Sequence, residues 1–247
     1  MRSMCKSTCA VEPVAARNGI KDIWNAFMIQ GAIMCKKDIP LCPTILKRNP
    51  VKFISWKDAR TLYKRKISSG EEGFHAEALV HFFIDDYRFD SLRTGIWWHP
   101  AEAMEVLKHF DGIVTPDYSL CQDFPEPLKE INVYRTRAFG FWAGNCGLDV
   151  LNSARWGDAE TWDYCNAGIP LGAPVCVGAV ASGLKKSSNR PLFDNGFEHM
   201  IGVVKPSKVF FYGAPTSRSL HLLRERDVPY SLIPSDTNVR FSKGGER

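Results

Sequence analysis

Carboxylates follow the apolar segments of this sequence at the points where those segments end. Asp85 and Asp86 follow the apolar run 78–84, and Asp117 comes shortly after the run 112–115. Carboxyl groups from different segments that share one site can act as general acid and base, or hold a hard cation. We therefore predict that Asp85, Asp86 and Asp117 are catalytic. Each has a structural alternative, because an aspartate after a strand commonly fixes a turn through its own backbone.

Arginines are the candidates for binding an anion. Arg135 lies on or beside the predicted inward face of a helix, where an unpaired guanidinium is costly. It should therefore reach a carboxylate such as Asp117 or a ligand phosphate, or form a structural salt bridge from helix to strand. Asn152 lies at the end of the run 149–153 and Arg155 follows it; both are predicted to bind the ligand as well. Arg137 is predicted to point to the surface.

Four further residues at segment ends are predicted to bind the ligand: Ser182, Gly183, Tyr212 and Asp236. Small residues over 177–183 would let backbone N–H groups approach a phosphate. The segment is neither a Walker loop nor a three-glycine dinucleotide fingerprint. Tight packing of a helix on a sheet explains the same small residues.

The segments that must position these residues alternate between strand and helix patterns. The predicted strands are 51–56, 78–84, 112–115, 149–153, 174–181, 208–212 and 230–233. Strands that are apolar along their whole length are typical of parallel sheets covered on both faces. We predict an α/β fold of parallel βα repeats, a TIM-like barrel that is complete or one strand short; an open doubly wound sheet is the alternative. In both, ligands bind beyond the carboxyl ends of the strands.

One predicted helix, 125–142, connects two of the candidate strand ends. Its apolar residues Leu128, Ile131, Tyr134, Ala138 and Trp142 recur at spacings of three and four, which predicts that they face the core.

The charge is unevenly distributed along the chain. Residues 1–70 contain 14 Lys and Arg against 4 Asp and Glu, whereas the remainder contains 18 against 23. Such asymmetry is expected when one region faces phosphates, although a solvated lysine-rich surface explains it equally well. The residues predicted to bind nucleic acid, on a helix over 58–66 and just before it, are Lys57, Arg60, Lys64, Arg65 and Lys66.

The predicted organisation is a flexible tail (1–17), one α/β domain (18–238) whose segment 18–70 is basic, and a polar tail (239–247). No apolar run approaches the roughly 20 residues that span a bilayer, and the first residues lack an apolar signal-peptide region. We therefore expect a cytoplasmic protein without membrane contact. The 8 cysteines contain no Cys-x-x-Cys pair. Free thiols are expected, and a four-thiolate metal site from Cys5, Cys9, Cys35 and Cys42 is the alternative.

Several motifs resemble a known but uncharacterised family. They are Phe110-Asp-Gly-Ile-Val-Thr-Pro-Asp-Tyr-Ser-Leu, Asn132-Val-Tyr-Arg-Thr-Arg-Ala, Arg155-Trp-Gly-Asp, Asp38-Ile-Pro-Leu, Gly168-Ile-Pro and Phe211-Tyr-Gly. The resemblance covers residues 35–215 and is to single-domain proteins of Gram-positive bacteria, their phages and mobile elements. It transfers no activity. Residues 178–213 are also similar, at fold level, to the barrel of tRNA-guanine transglycosylases, although the zinc pattern of those enzymes is missing.

Two functions remain open from the sequence. The first is a barrel enzyme acting on a nucleotide or nucleic-acid substrate, with the aspartates as acid, base or metal ligands and the arginines on phosphate. Its cofactor is unknown, and a divalent cation is the candidate. The second is a non-catalytic phage or mobile-element protein that binds nucleic acid or a host protein through its basic segment. Either would act in the bacterial cytosol, and the oligomeric state is not indicated.

Overall fold

Seven parallel strands form one sheet in the structure, a computed structural model that describes residues 23–50, 52–180 and 182–235. The predicted tails 1–17 and 239–247, Asp236, Cys5 and Cys9 lie outside these residues. The strands are β1 (Phe53–Ser55), β2 (Ala76–His81), β3 (Phe110–Val114), β4 (Asp149–Ser153), β5 (Val175–Gly178), β6 (Val209–Tyr212) and β7 (Tyr230–Ile233).

Helices occupy most of the connections between strands. They are α1 (Trp56–Ser68), α2 (Asp86–Phe89), α3 (Pro100–Leu107), α4 (Glu126–Asn145), α5 (Arg190–Val204) and α6 (Ser217–Glu225). Local chemistry sets their starts: Ser55 accepts the Asp58 N–H at α1, and Pro100 occupies the first turn of α3. The connection from β4 to β5 contains a 3₁₀ turn, Ala159–Asp163, in place of an α-helix.

The sheet curls into an incomplete barrel. Its strands lie side by side in chain order from β1 to β7, so no switch point exists and the doubly wound alternative is wrong. The rings of His81 on β2 and Tyr212 on β6 lie 4.1 Å apart although three strands separate them in the sheet. Only a curled sheet brings them together. Among the described residues, β1 and β7 do not pair, which leaves the barrel open.

Alternating strand residues pack into separate cores on the two faces of the sheet. The interior of the curl is filled by Phe53, Leu79, Val114, Leu151, Cys176 and Phe210 with their neighbours. The outward residues, such as Val80, Ile113 and Val150, pack under the helices. Both faces are therefore buried, which explains why the strands are apolar throughout.

A segment preceding β1 pairs with the amino-terminal half of β4, before β4 reaches β5. Ile45 exchanges two backbone hydrogen bonds with Val150 of β4, with N···O distances of 2.8 and 2.6 Å. The next residues of β4, Asn152 and Ser153, pair instead with β5. On one edge, β4 therefore pairs with Ile45 in its amino-terminal half and with β5 in its carboxyl-terminal half.

The buried face of α4 differs from the predicted one. Leu128 and Ile131 are each 40% exposed, whereas Asn132, Thr136 and Arg137 are buried. The spacing of apolar residues predicted the wrong buried face, because polar side chains of this helix form hydrogen bonds inside the protein. The prediction that Arg137 points to the surface is wrong.

Candidate functional site

Asp117 and Arg155 meet at the carboxyl ends of β3 and β4. The Arg155 Nη1 atom lies 2.7 Å from Asp117 Oδ2, and the Asp117 side chain is 3% exposed. The other carboxylate oxygen, Oδ1, is buried without a hydrogen-bond partner among the described residues. Asp117 therefore combines a charged partner on one oxygen with a free acceptor on the other.

Burial raises the pKa of the Asp117 carboxyl above its ordinary value of 3.8. The Arg155 guanidinium opposes this shift, and the nearby charge of Asp86 adds to it. Burial also works against the Arg155 cation, but the two aspartates hold its pKa above its ordinary value. A buried acid with a raised pKa is the environment that proton transfer requires.

The other two predicted catalytic aspartates are placed differently. Asp86 approaches Asp117, but both of its oxygens accept hydrogen bonds from Ser119, from the backbone N–H and from Oγ, each at 3.0 Å. Asp85 has a side chain 62% exposed and pairs with Arg88 at 3.0 Å. The structure thus brings Asp86 and Asp117 together and leaves Asp85 at the surface, outside their cluster.

Asn152 belongs to the buried framework. It is 0% exposed, and its amide donates to Cys42 O at 2.8 Å and to Thr44 Oγ1 at 3.0 Å. Its Oδ1 accepts from Arg137 Nη1 at 3.1 Å. These bonds anchor the inserted segment to β4, so the ligand-binding interpretation of Asn152 is replaced by a structural one.

Arg137 is the buried cation that the sequence reading missed. It is 2% exposed, and it donates to the carbonyls of Ser153 at 2.9 Å and Ala167 at 3.1 Å as well as to Asn152. These acceptors are all neutral. Burial lowers its pKa to about 10, although nearby thiols and Asp117 oppose the shift. It therefore remains charged at neutral pH and joins α4 to the ends of β4.

Arg135 has a structural partner that was not foreseen. Its Nη1 lies 3.4 Å from Asp90 Oδ2, and its guanidinium stands 5.5 to 5.9 Å from the ring centroids of Trp97, Trp98 and Tyr118. Burial raises the pKa of Asp90, which the Arg135 charge opposes. The predicted pairing of Arg135 with Asp117 is wrong. Arg135 forms a structural salt bridge, but its partner lies at the end of α2 and not on a strand.

A cavity of about 770 Å³ lies beyond the carboxyl ends of β5, β6 and β7. It includes Gly183, one of the predicted ligand-binding residues. Ser182 bonds back to the Gly178 carbonyl at 3.1 Å. Tyr212 is packed inside the barrel against His81 and Phe83, 4% exposed, so its placement at a ligand site is corrected to a core position.

Basic side chains surround this cavity: Lys185, Lys186, Arg190 and Arg218. Asp194 is the single carboxylate among the described lining residues, and it accepts hydrogen bonds from Thr216 and Ser219. Arg218 also pairs with Glu198 at 2.9 Å. Lys185 and Lys186 form no ion pair within the described part of the chain. We call this site the anion pocket.

The predicted nucleic-acid residues lie along α1. Lys57, Arg60 and Lys64 follow one another at spacings of three and four, so they share one face of the helix. Arg60 also stands 5.8 Å from the Trp56 ring, and Arg65 is exposed beside this face. Lys66 is engaged in an ion pair with Glu71. The basic face of α1 therefore comprises Lys57, Arg60, Lys64 and Arg65.

Other classes of site find little support in the part of the chain that is described. No group of three or more His, Cys, Asp or Glu residues there could hold a metal ion. The described cysteines, which include Cys35 and Cys42, form no disulfide with one another. No described helix is both long and apolar enough to cross a membrane.

Fold and site together define an incomplete parallel α/β barrel with a cation-lined cavity at its carboxyl end. The chain belongs to the DUF4417 family, a domain of unknown function, whose family model matches residues 36–225.

Two curated relatives are phage proteins. The Gene 1 protein of Mycobacterium phage L5 is 33% identical over 135 residues, which cover 54% of this chain and 56% of that protein. The Gene 1 protein of Mycobacterium phage D29 is 30% identical over 165 residues, 66% of this chain and 56% of that protein. The chain thus spans about half the length of the curated relatives that it matches. The phage-associated family expected from the motifs is confirmed.

No solved structure matches the chain. The expected likeness to the barrel of tRNA-guanine transglycosylases therefore has no support.

Proposed function

We propose that this protein binds a nucleotide or nucleic acid through its phosphate groups in the anion pocket. The observation that carries the proposal is the excess of cations around that cavity: Lys185, Lys186 and Arg190 form no ion pair, Arg218 is paired with Glu198, and Asp194 is the single carboxylate among the described lining residues. Cations that converge on a concave surface attract phosphate and raise its local concentration. The carboxyl end of the strands is also where parallel α/β folds bind their ligands.

Backbone groups reinforce the same charge preference. The first residues of α6, Ser217 and Arg218, line the pocket. The amino-terminal end of a helix carries a partial positive charge and N–H groups that its own turns do not use. The start of α6 and the basic side chains thus favour an anion at one place.

A calorimetric titration tests this proposal. The probes are adenosine 5′-triphosphate and a 5′-phosphorylated oligonucleotide, titrated into the full chain. Lys186→Ala with Arg190→Ala should weaken binding at least tenfold, since each hydrogen bond to a charged group contributes about 1.5 to 3 kcal/mol. Arg224→Ala with Arg226→Ala, at the far end of α6, is the matched control with the same charge change. Binding of neither probe, or equal loss in the control, would overturn the proposal.

Asp117 is the proposed acid or base of any reaction at this rim. Its support is the buried carboxylate with a raised pKa and an unpartnered Oδ1, at the same edge of the sheet as the anion pocket. Asp86 is proposed to keep that pKa high, and Arg155 to hold the carboxylate in position. Turnover of a bound nucleotide should disappear in Asp117→Asn while its binding remains; turnover that survives this change would exclude the role.

The basic face of α1 supports a second candidate function, binding of a nucleic-acid backbone. Cations at spacings of three and four on one helix repel one another, and a phosphate backbone relieves that repulsion. Lys57→Ala, Arg60→Ala and Lys64→Ala together should reduce the salt dependence of DNA or RNA binding, by about 0.7 to 0.9 in logarithmic slope for each lost contact. An unchanged slope would remove this candidate.

The proposed place of action is the bacterial cytosol, where phage proteins and their nucleic acids meet. A divalent cation would arrive bound to the nucleotide phosphates, with waters completing its coordination. A host protein remains a proposed partner for the basic face of α1 if nucleic acid does not bind there.

A further inference from the structure

The anion pocket is lined by groups that can recognise phosphates and not bases. Its described lining contains basic, hydroxyl and small apolar side chains, and no aromatic ring. Proteins that read or stack a base generally use aromatic rings or a set of directed side-chain amides. Asn189 is the one side-chain amide among the described lining residues, and its Nδ2 donates to the Gly183 carbonyl at 3.2 Å.

The charge of the pocket indicates how many phosphate groups it can balance. Arg218 is paired with Glu198, whereas Lys185, Lys186 and Arg190 form no ion pair among the described residues. A phosphate monoester carries at most about two negative charges at neutral pH, as phosphorylated side chains do. A run of adjacent phosphates offers each of these three cations a partner of its own.

The size of the cavity is consistent with such a ligand. Its volume of about 770 Å³ lies within the range of about 300 to 1,000 Å³ that small-molecule sites occupy. The apolar part of the lining, Val180, Leu184 and Pro215, offers contact surface without directed hydrogen bonds. A sugar and base could rest there without being distinguished.

From these observations we infer that the ligand of the anion pocket is a nucleoside triphosphate recognised through its phosphates, irrespective of its base. This inference rests on the proposed function and specifies its ligand. The contacts that hold the ligand are the side chains of Lys185, Lys186 and Arg190 together with the backbone N–H groups at the start of α6.

Calorimetry with a graded set of probes tests the inference. The probes are the triphosphates, diphosphates and monophosphates of adenosine, guanosine and cytidine, together with adenosine and inorganic tripolyphosphate. The three triphosphates should bind within about threefold of one another, because a site without base contacts yields less than 1 kcal/mol of discrimination. Each phosphate removed should weaken binding about tenfold, and adenosine should not bind. Tripolyphosphate should bind within about tenfold of the nucleotides.

Variants locate the binding in the pocket. Lys185→Ala with Lys186→Ala should weaken all three triphosphates by the same factor, about tenfold or more. The two lysines are exposed and form no ion pair among the described residues, so the fold should survive. Arg224→Ala with Arg226→Ala serves again as the control with a matched loss of charge.

The outcomes separate this inference from the proposed function. Triphosphates that differ by more than tenfold between bases, or monophosphates that bind as tightly, overturn the inference but leave phosphate binding in the pocket. An oligonucleotide that binds while every free nucleotide fails also overturns it. Failure of all the probes overturns the proposed function itself.

Discussion

Arg155 holds Asp117 across the ends of two neighbouring strands, with its Nη1 atom 2.7 Å from one carboxylate oxygen while the other accepts no hydrogen bond in the described structure. The pair is buried on the aspartate side and partly open on the arginine side, with side-chain exposures of 3% and 22%. A carboxylate in this setting depends on one cation for its charged form. The pair is therefore sensitive to loss of the arginine and to pH.

Replacing Arg155 by methionine should destabilise the protein by about 3 kcal/mol at pH 7, because Asp117 would remain buried without its cation. The pKa of Asp117 is already raised in the folded state. The stability linked to its protonated form is therefore present below pH 3.8 and is lost as pH rises through the folded-state pKa. Without Arg155 the loss of stability with rising pH should increase. Urea unfolding should therefore show that Arg155→Met destabilises the protein less at pH 4 than at pH 7.

Asp117→Asn in the Arg155→Met background is the control for this interpretation. The double variant should recover most of the stability at pH 7 because no buried charge remains. A destabilisation of equal size at both pH values, or no recovery in the double variant, would assign the effect to lost packing.

His81 should make the protein sensitive to acid. It is 0% exposed within the barrel, its Nε2 has no hydrogen-bond partner among the described residues, and burial lowers its pKa from 6.5 to about 3. A histidine that is neutral when folded gains a proton on unfolding, so its stabilisation is complete above pH 6.5 and declines as pH falls towards 3.

Substitution of His81 by glutamine removes this titration. The stability of wild type relative to His81→Gln should fall by up to about 4 kcal/mol between pH 6.5 and 3. Chemical unfolding at several pH values measures the difference. Parallel pH profiles would show that His81 does not titrate in this window.

Arg137→Ala should be among the most destabilising single changes in the chain, at more than about 4 kcal/mol. The substitution empties a buried site and leaves the acceptors on Asn152, Ser153 and Ala167 unsatisfied. Arg137→Lys retains the charge but cannot place donors on all three, and should recover less than half of the loss. Urea unfolding measures both, and a loss below 1 kcal/mol for Arg137→Ala would contradict the buried network.

Two glycines of α5 should respond in opposite ways to alanine. A Cβ on Gly196 would lie 2.1 Å from Trp156 Cδ1, so Gly196→Ala should cost about 1 to 3 kcal/mol through overpacking. A Cβ on Gly202 would have no neighbour within 4 Å among the described atoms, so Gly202→Ala should stabilise the helix by up to about 1 kcal/mol. The melting temperatures should therefore shift in opposite directions; equal shifts would refute the packing of α5 on Trp156.

The strands could be predicted because each is apolar on both faces. The bounds of β4 and β7 agree with the predicted segments 149–153 and 230–233. The same reasoning placed Asp117 and Arg155 at one edge, where the structure has them. The hydrogen-bond partners of these two residues could not be predicted from the strand pattern, because the pattern gives the position of a residue along the chain and not the direction of its side chain.

The face of α4 and the anion pocket could not be read in this way. Arg137 is buried because the carbonyls of Ser153, at the end of β4, and of Ala167, in the connection to β5, converge on it. Lys185, Arg190 and Arg218 belong to two connections that become adjacent only because β5 and β6 pair in the sheet. A single sequence contains no local signal for such convergence, although the Lys185-Lys186 pair marks one of the loops.

The insertion of Ile45 beside β4 has a consequence for synthesis on the ribosome. Cys42 and Asn152, which fasten that insertion, are separated by 110 positions in the chain. The segment that contains Cys42 and Ile45 remains exposed to solvent until β4 leaves the exit tunnel, because its hydrogen-bond partners lie on β4. Contacts this distant in sequence slow folding, so the nascent protein should acquire its protease resistance only after more than half of it has been translated.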